Sequence, residues 1–431
     1  MAAAAARAAS VRHFRIDSTS LAADSGSSPT GSIAGACGLT KSGTGSLTVA
    51  ATNAYTGDTR VTAGTLIVAA EHALGAGAVK LGDTTGSSDA GLLVAGPFTV
   101  DRPVTVQDDG SPSSTRTLGV TGTAGTAVFS ADITLGKSLT LTAAAGSAVR
   151  FAATLDNSAG KTITKIGEGR MIFDATQTHG PGALLKVDAG TVDLNADAGS
   201  ASVHNLAITV NNDASTVSFG ASQHVKGLTL ADGTAAIAAG GTKVLTTQSL
   251  TLDKTTARLD LMDNDLVVDY SGTTSPTDAI RDYLAAGCGP NAKWDTGLGI
   301  TSGQAKADHQ ADPVVPTALG YRDDTTSQKV AVKYTWQGDS TLDGVVNIAD
   351  DFFNFLDGFN GAAPVSWYAG DFNYDDAIDI ANDYFAFLDG YNLQSGQLGG
   401  LEGDLPAIPE PASALLVGVG AVLAMLRRKG P

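Results

Sequence analysis

From about Leu39 to Tyr270 the chain alternates apolar and polar residues in short runs. Gly, Asn, Asp and Thr break the runs. The segments GTLIVAA, PVTVQDD, SLTLTAAA, AVRFAATL, GTVDLNA, LAITVNN, STVSFG, GLTLADG, SLTLDK and ARLDLMDNDLVVDY each have the period of two that a half-buried strand requires. No useful length of this region places apolar residues at helical spacing. The first helical pattern is TDAIRDYLAAG at 277–287, with Thr and Asp at its start and Gly at its end.

The strand text repeats. LTKSGTGSLTVAATNAYTGDTRVTAGTLIV (39–68) matches ITKIGEGRMIFDATQTHGPGALLKVDAGTVDL (163–194). Lys41 pairs with Lys165, Gly43 and Gly45 with Gly167 and Gly169, and Gly64 with Gly190. Short strands with glycine-marked corners suit stacked rungs, each burying its inner face on the next. Aromatics make up only 6% of the chain, so the interior must be built from small and β-branched residues. A parallel β-solenoid is the expected fold and a β-sandwich its competitor. The 39–68 text resembles the autotransporter-associated β-strand repeat. That resemblance implies a right-handed parallel β-helix on a cell surface and names no activity.

Composition narrows the function classes. The chain has 431 residues and a net charge of −17, which argues against a nucleic-acid partner. The two cysteines, Cys37 and Cys288, exclude a disulfide framework and a cysteine zinc site. Six scattered histidines make no H-x-H or H-E-x-x-H pattern. Residues 1–37 read as a disordered leader or a misplaced start, because Arg7, Arg12 and Arg15 interrupt the apolar run a secretory signal needs. The expected organisation is then a solenoid at 38–276, its cap and linker at 277–333, an acidic module at 334–393, a linker at 394–408 and a tail at 409–431.

From Tyr334 to Leu426 there is no Lys or Arg, and 334–391 holds 14 of the 25 aromatics. Within it, GDSTLDGVVNIADDFFNFLDGFN recurs 32 residues later as GDFNYDDAIDIANDYFAFLDGYN. Asp339, Thr341, Asp343, Val345, Asn347 and Asp350 fall at positions 1, 3, 5, 7, 9 and 12 of an EF-hand calcium loop, with Gly344 at 6. Alternate residues of a tight loop turn oxygens inward, which is the cage a hard cation needs. Asp371, Asn373, Asp375, Ala377, Asp379 and Asn382 repeat the set, with Asp376 in place of the glycine. Asn382 offers one oxygen, so the second loop is expected to bind calcium more weakly. A helix should follow each loop, with Phe352, Phe353, Leu356 and Phe359 on one face and Tyr384, Phe385, Leu388 and Tyr391 as their counterparts. The competing reading is an acidic solvated turn beside a helix. The duplicated unit resembles a dockerin, which implies calcium-dependent folding and a cohesin-like partner. The Ser-Thr-like pair dockerins carry at positions 10 and 11 is replaced by Ile348-Ala349 and Ile380-Ala381.

The chain ends AIPEPASALLVGVGAVLAMLRRKGP. Pro409, Glu410 and Pro411 precede fifteen uncharged residues, then Arg427, Arg428 and Lys429. The apolar run is short for a spanning helix, and the basic end would hold it on the cytoplasmic side. It resembles the PEP-CTERM sorting signal. That implies transient membrane anchoring, an exosortase-type processing enzyme, and delivery to the surface or matrix. No catalytic residues are assigned. The best acidic cluster outside the loops is Asp260, Asp263, Asp265 and Asp269, which reads first as a solvated strand face. The expected function is a non-enzymatic surface stalk with a calcium-stabilised interaction module. The alternative is a secreted protein that binds or degrades polysaccharide.

Overall fold

The computed structural model describes residues 12–17, 32–122 and 125–398. It is a parallel β-solenoid whose turns contribute strands to three long sheets of eight, nine and ten strands. Pairing within these sheets is parallel throughout. Leu47 lies beside Leu66 and Leu92 beside Leu118, so a turn takes 19 residues in one place and 26 in another. The variable part is the loop between strands, where length costs little.

The alternation in the sequence is the cause of the packing. In Ile133–Leu135 the burial reads buried, exposed, buried, and Val104–Val106 and Thr59–Val61 put their outer residues inside in the same way. Inward residues then stack from turn to turn. Phe129, Phe151 and Phe173 form one such column, with ring centroids 5.7 and 4.7 Å apart. Each buried Val, Leu or Phe contributes roughly 1.5–3 kcal/mol of transfer free energy. Every one of the strand segments read from the sequence lies on a strand of the solenoid.

The eight-stranded sheet is interrupted once. Its last strand, Gln177–His179, should be followed one turn later by another, but residues 195–206 hold only the bridge between Ser200 and Val203. Side chains carry the stack across this gap. Asn205 donates to the His179 carbonyl at 2.8 Å, and Gln223 bonds the backbone of Ala196 and Ala198. Stacking then resumes in a five-stranded sheet from Gln223–Val225.

Two features close the ends. Arg12–Asp17, inside the segment read as a leader, pairs in parallel with Cys37–Ser42. At the far end Asp265–Asp269 pairs antiparallel with Lys329–Trp336, which pairs antiparallel with Thr317–Asp324. This reversal stops the parallel stack from growing and covers its edge. The helix expected at 277–287 runs Thr277–Cys288, ends at Gly289 with φ 72°, and packs on Gly299–Thr301.

The acidic segment is no detached module. Solenoid, cap and both loops belong to one compact unit that runs to Gly399. Leu342 and Trp367 close over Gly320 of the hairpin, where a Cβ would sit 2.6 Å from the Trp367 indole nitrogen. Tyr374 donates its hydroxyl to the Leu319 carbonyl, and the Trp336 indole donates to Gly396 at 2.8 Å. The tail helix and sorting residues expected at 409–431 lie outside the described residues.

Candidate functional site

Two kinds of chemistry stand out from the solenoid frame: buried lysines in the repeat turns, and buried carboxylates in the acidic loops.

Lys165 is fully buried, and its ammonium donates to the carbonyls of Ile166 (3.1 Å), Gly167 and Ala189 (2.9 Å). Lys41 does the same with Ser42 (2.9 Å), Gly43 (2.7 Å) and Ala63 (2.9 Å). In each case the lysine ties its own turn to the next one up. The glycines of the repeat make room. Gly43 and Gly167 both have φ 72°, and a Cβ on Gly190 would lie 2.5–2.6 Å from the Gly169 and Gly167 carbonyls. The shared letters of the repeat therefore encode a lysine-closed corner. Burial pushes Lys165 down to about 8.

The two acidic loops are built alike. Leu342 and Gly344 of the first, and Tyr374 and Asp376 of the second, take left-handed backbone, so Asp376 does adopt the conformation of the glycine it replaces. Asp339 is buried. Its carboxylate accepts from the amides of Leu342 (2.7 Å), Asp343 (3.2 Å) and Gly344 (2.8 Å) and from the Thr335 hydroxyl. Thr341 donates to it at 3.3 Å. Asp343 is exposed and accepts from Val345 N, and Asn347 caps the helix by accepting from Asp350 N at 2.9 Å. The Asp350 carboxylate accepts from the Asn347 side-chain amide at 3.2 Å.

In the second loop Asp371 is buried. One of its oxygens accepts from Asp375 N at 3.1 Å, and the other has no hydrogen-bond partner. Asn373 donates to exposed Asp375, and Asp375 accepts from the amide of exposed Ala377. Asp379 caps the helix, and exposed Asn382 turns its amide back onto Asp379 at 3.3 Å.

Each helix opens with a π-helical turn, Ile348–Phe352 and Ile380–Tyr384, before the α-helices Phe353–Phe359 and Phe385–Leu393. The extra residue rotates the aromatic face away from its expected position. Phe355 and Phe387 are the buried rings, while Phe353, Phe359, Phe385 and Tyr391 are exposed. The turn also brings Asp351 and Asp383 in, both fully buried. Burial, then Asp339, pushes Asp351 up to about 7. Burial, then Asp383 and Asp375, pushes Asp371 up to about 7, and burial pushes Asp383 up to about 6.

Neither Asp351 nor Asp383 was singled out by loop spacing. Their sequence signal is the doublet that precedes the aromatics, ADDFF and its counterpart ANDYF. Countercharge also comes from outside the segment. Buried Lys333 donates to the Leu342 carbonyl at 2.8 Å, and Arg281 reaches Asp376 at 2.6 Å. Among the described residues no three His, Cys, Asp or Glu side chains are drawn together closely enough to hold a metal ion. Asp343 and Asp375 each accept from the amide two residues on, within their own loops.

The remaining acidic candidates have separate structural partners. Asp260 accepts from the amides of Met262 and Gly303, and Asp263 from Gly240. Asp265 is pushed up to about 7 by burial with Lys333 opposing, and Asp269 bonds Ser271. A cleft of about 430 Å³ in an earlier part of the solenoid, lined by Arg116, Lys137 and Lys161, has its cations committed. The Asp109 carboxylate, with its side chain 1% exposed, holds Arg116 at 2.8 Å and Lys137 at 2.5 Å, and Asp108 faces Lys161. Cys37 and Cys288 are both free, and burial pushes Cys288 up to about 12. Among the described residues no helix is long and apolar enough to cross a membrane.

No curated protein and no solved structure matches the chain. One family model does, the passenger-associated-transport-repeat, over residues 39–68, and that span contains the turn Lys41 closes.

Proposed function

We propose that the chain is an exported, non-enzymatic protein of the cell surface or extracellular matrix. The solenoid is its stalk, and the acidic loop pair is a calcium-stabilised interaction module of dockerin type. The observation that carries the first part is the passenger-type repeat realised as a lysine-closed solenoid turn and copied at Lys165. Stalks need rigidity along one axis, and a continuous stack of parallel rungs supplies it. Protease treatment of intact cells tests this. Loss of the full-length chain from intact cells supports export, and survival until lysis overturns it.

The calcium reading is supported by buried acids in duplicate and by an orphaned carboxylate oxygen of Asp371 in an otherwise packed site. A buried carboxylate without donors is costly, and a hard cation is the ligand that oxygen-only loops accept. Asp339, Thr341, Asp343, Val345 and Asn347 would hold it in the first loop, and Asp371, Asn373, Asp375, Ala377 and Asp379 in the second. Binding would draw Asp343 and Asp375 off their backbone partners and inward. The full chain should melt at higher temperature in calcium than in EGTA; equal melts overturn the reading.

For the interaction role, Ile348, Phe353 and Phe359 are exposed, as are their counterparts Ile380, Phe385 and Tyr391. A duplicated apolar face of this kind suits a cohesin-like or other cell-surface partner. The Pro409-Glu410-Pro411 triplet, the apolar run and Arg427, Arg428 and Lys429 are proposed to anchor the chain transiently until an exosortase-type enzyme cuts near Pro411. Mass spectrometry of surface protein should then find no peptide that includes Arg427.

A further inference from the structure

The π-helical turns change which residues can reach a bound cation. In an α-helical start, the residue at the twelfth loop position would face the loop, which names Asp350 and Asn382. Here Phe352 N bonds back to the Asn347 carbonyl, and Tyr384 N to the Asp379 carbonyl, five residues earlier. One extra residue in a turn rotates everything after it by about 100°. The side chain delivered to the loop is therefore the next one along.

The contacts follow. The Asp351 carboxylate spans its loop, accepting from Ser340 N (2.8 Å) and Thr341 N (3.2 Å) with one oxygen and from Asn347 N (2.8 Å) with the other. Asp383 spans the second in the same way, from Phe372 N (2.9 Å) to Asp379 N (2.8 Å). Asn382 stays at the surface. Asp371 is fully buried and close enough to Asp383 for their charges to repel, and one of its oxygens has no hydrogen-bond partner.

We propose that Asp383, and not Asn382, closes the second loop on a divalent cation opposite Asp371, and that Asp351, and not Asp350, closes the first opposite Asp339. The proposal rests on the calcium reading above and specifies it. It also reverses the expected ranking of the loops. With Asp383 as closing ligand the second loop has a full carboxylate there. The first loop already has the Lys333 ammonium on its Leu342 carbonyl, so the orphaned oxygen of Asp371 marks the second loop as the site with more to gain.

Calcium titration calorimetry on the full chain, with terbium luminescence as a second readout, separates the possibilities. Asp383→Asn should weaken one site by at least tenfold, while Asn382→Ala changes it by less than threefold. Asp351→Asn and Asp350→Asn should behave as the corresponding pair in the first loop. If Asn382→Ala and Asp350→Asn cause the large losses instead, the closing residues are wrong while the calcium reading stands. If the unmodified chain binds no calcium, both fall. Melts in EGTA guard against simple misfolding. Asp383→Asn turns one of two amide acceptors into a donor, so its melt in EGTA should fall. The assignment is read from the gap between the melts in calcium and in EGTA, which should shrink for Asp383→Asn and persist for Asn382→Ala; an unchanged gap in Asp383→Asn overturns it as a ligand.

Discussion

Replacing Lys165 with Met tests the central claim about the solenoid, that the repeat's lysine is a tie between turns. Met keeps the length of the side chain and most of its volume but removes every donor. Three carbonyls, those of Ile166, Gly167 and Ala189, lose their partner in a site closed to water. Orphaning a buried acceptor costs roughly 1–3 kcal/mol, so three cost about 3–9 kcal/mol. Against this, the variant no longer buries an ammonium, a relief of several kcal/mol. The carbonyls cannot be removed with the lysine, so their loss should win, leaving a net destabilisation of about 2–4 kcal/mol. Urea unfolding of the full chain followed by far-UV circular dichroism reads this as a lower midpoint.

The pH dependence gives a second check. Lys165 titrates at about 8 when folded and near 10.5 when free. Between those values the unfolded chain holds the proton and the folded one does not. Stability from this group therefore rises with pH across that window, and the deficit of the Met variant should widen from pH 8 to pH 10.5. An unchanged urea midpoint would refute the tie; a deficit that narrows with pH would refute only the dominance of burial over the ammonium's hydrogen bonds.

Gly190→Ala should destabilise strongly, because its Cβ would meet two carbonyls at 2.5–2.6 Å with φ at 72°, whereas Gly182→Ala, with its nearest neighbour at 3.8 Å, should cost only the left-handed penalty of about 1–2 kcal/mol; parallel thermal melts compare them. Phe151→Ala, in the middle of the three-ring column, should cost about 3–5 kcal/mol by urea unfolding. In EGTA, the raised folded pKa of Asp371 makes its contribution to stability fall as pH rises from about 4 through 7. Asp371→Asn should therefore flatten part of the pH dependence of the melt over that window.

The solenoid was legible because its information is local. A strand such as Ile133–Leu135 states its inner face in three residues, and the lysine and glycines of the repeat fall at the same places in both copies. What the sequence could not show was the turn at 195–206. There Asn205 and Gln223 replace a strand, and their partners lie about 25 residues away in neighbouring turns. The strand at Arg12–Asp17 was hidden for a related reason, since the strand it pairs with among the described residues, Cys37–Ser42, lies about 25 residues on.

The acidic loops were legible in spacing but not in register or in setting. Spacing alone assumes an α-helical start, and a single extra residue in the turn moved the inward position from Asp350 to Asp351 and from Asn382 to Asp383. Composition made the segment look self-contained, because it holds no base. Its countercharges are Lys333 on the hairpin and Arg281 on the cap helix, and its buried rings Trp367 and Tyr374 lie against that same hairpin. This placement has a physical consequence for a cation-sensitive loop. Asp339 shares its surroundings with Lys333, which in turn faces Asp265 on the last solenoid strand. Charge added to or removed from the first loop is therefore felt at the solenoid's closing sheet. Chelation should thus loosen the hairpin as well as the loops. Hydrogen exchange at Val330–Lys333, backbone buried in a sheet and outside both loops, would report it. Faster exchange there in EGTA is the expected result. Unchanged exchange, alongside measurable calcium binding, would mean that the loops open without disturbing the cap.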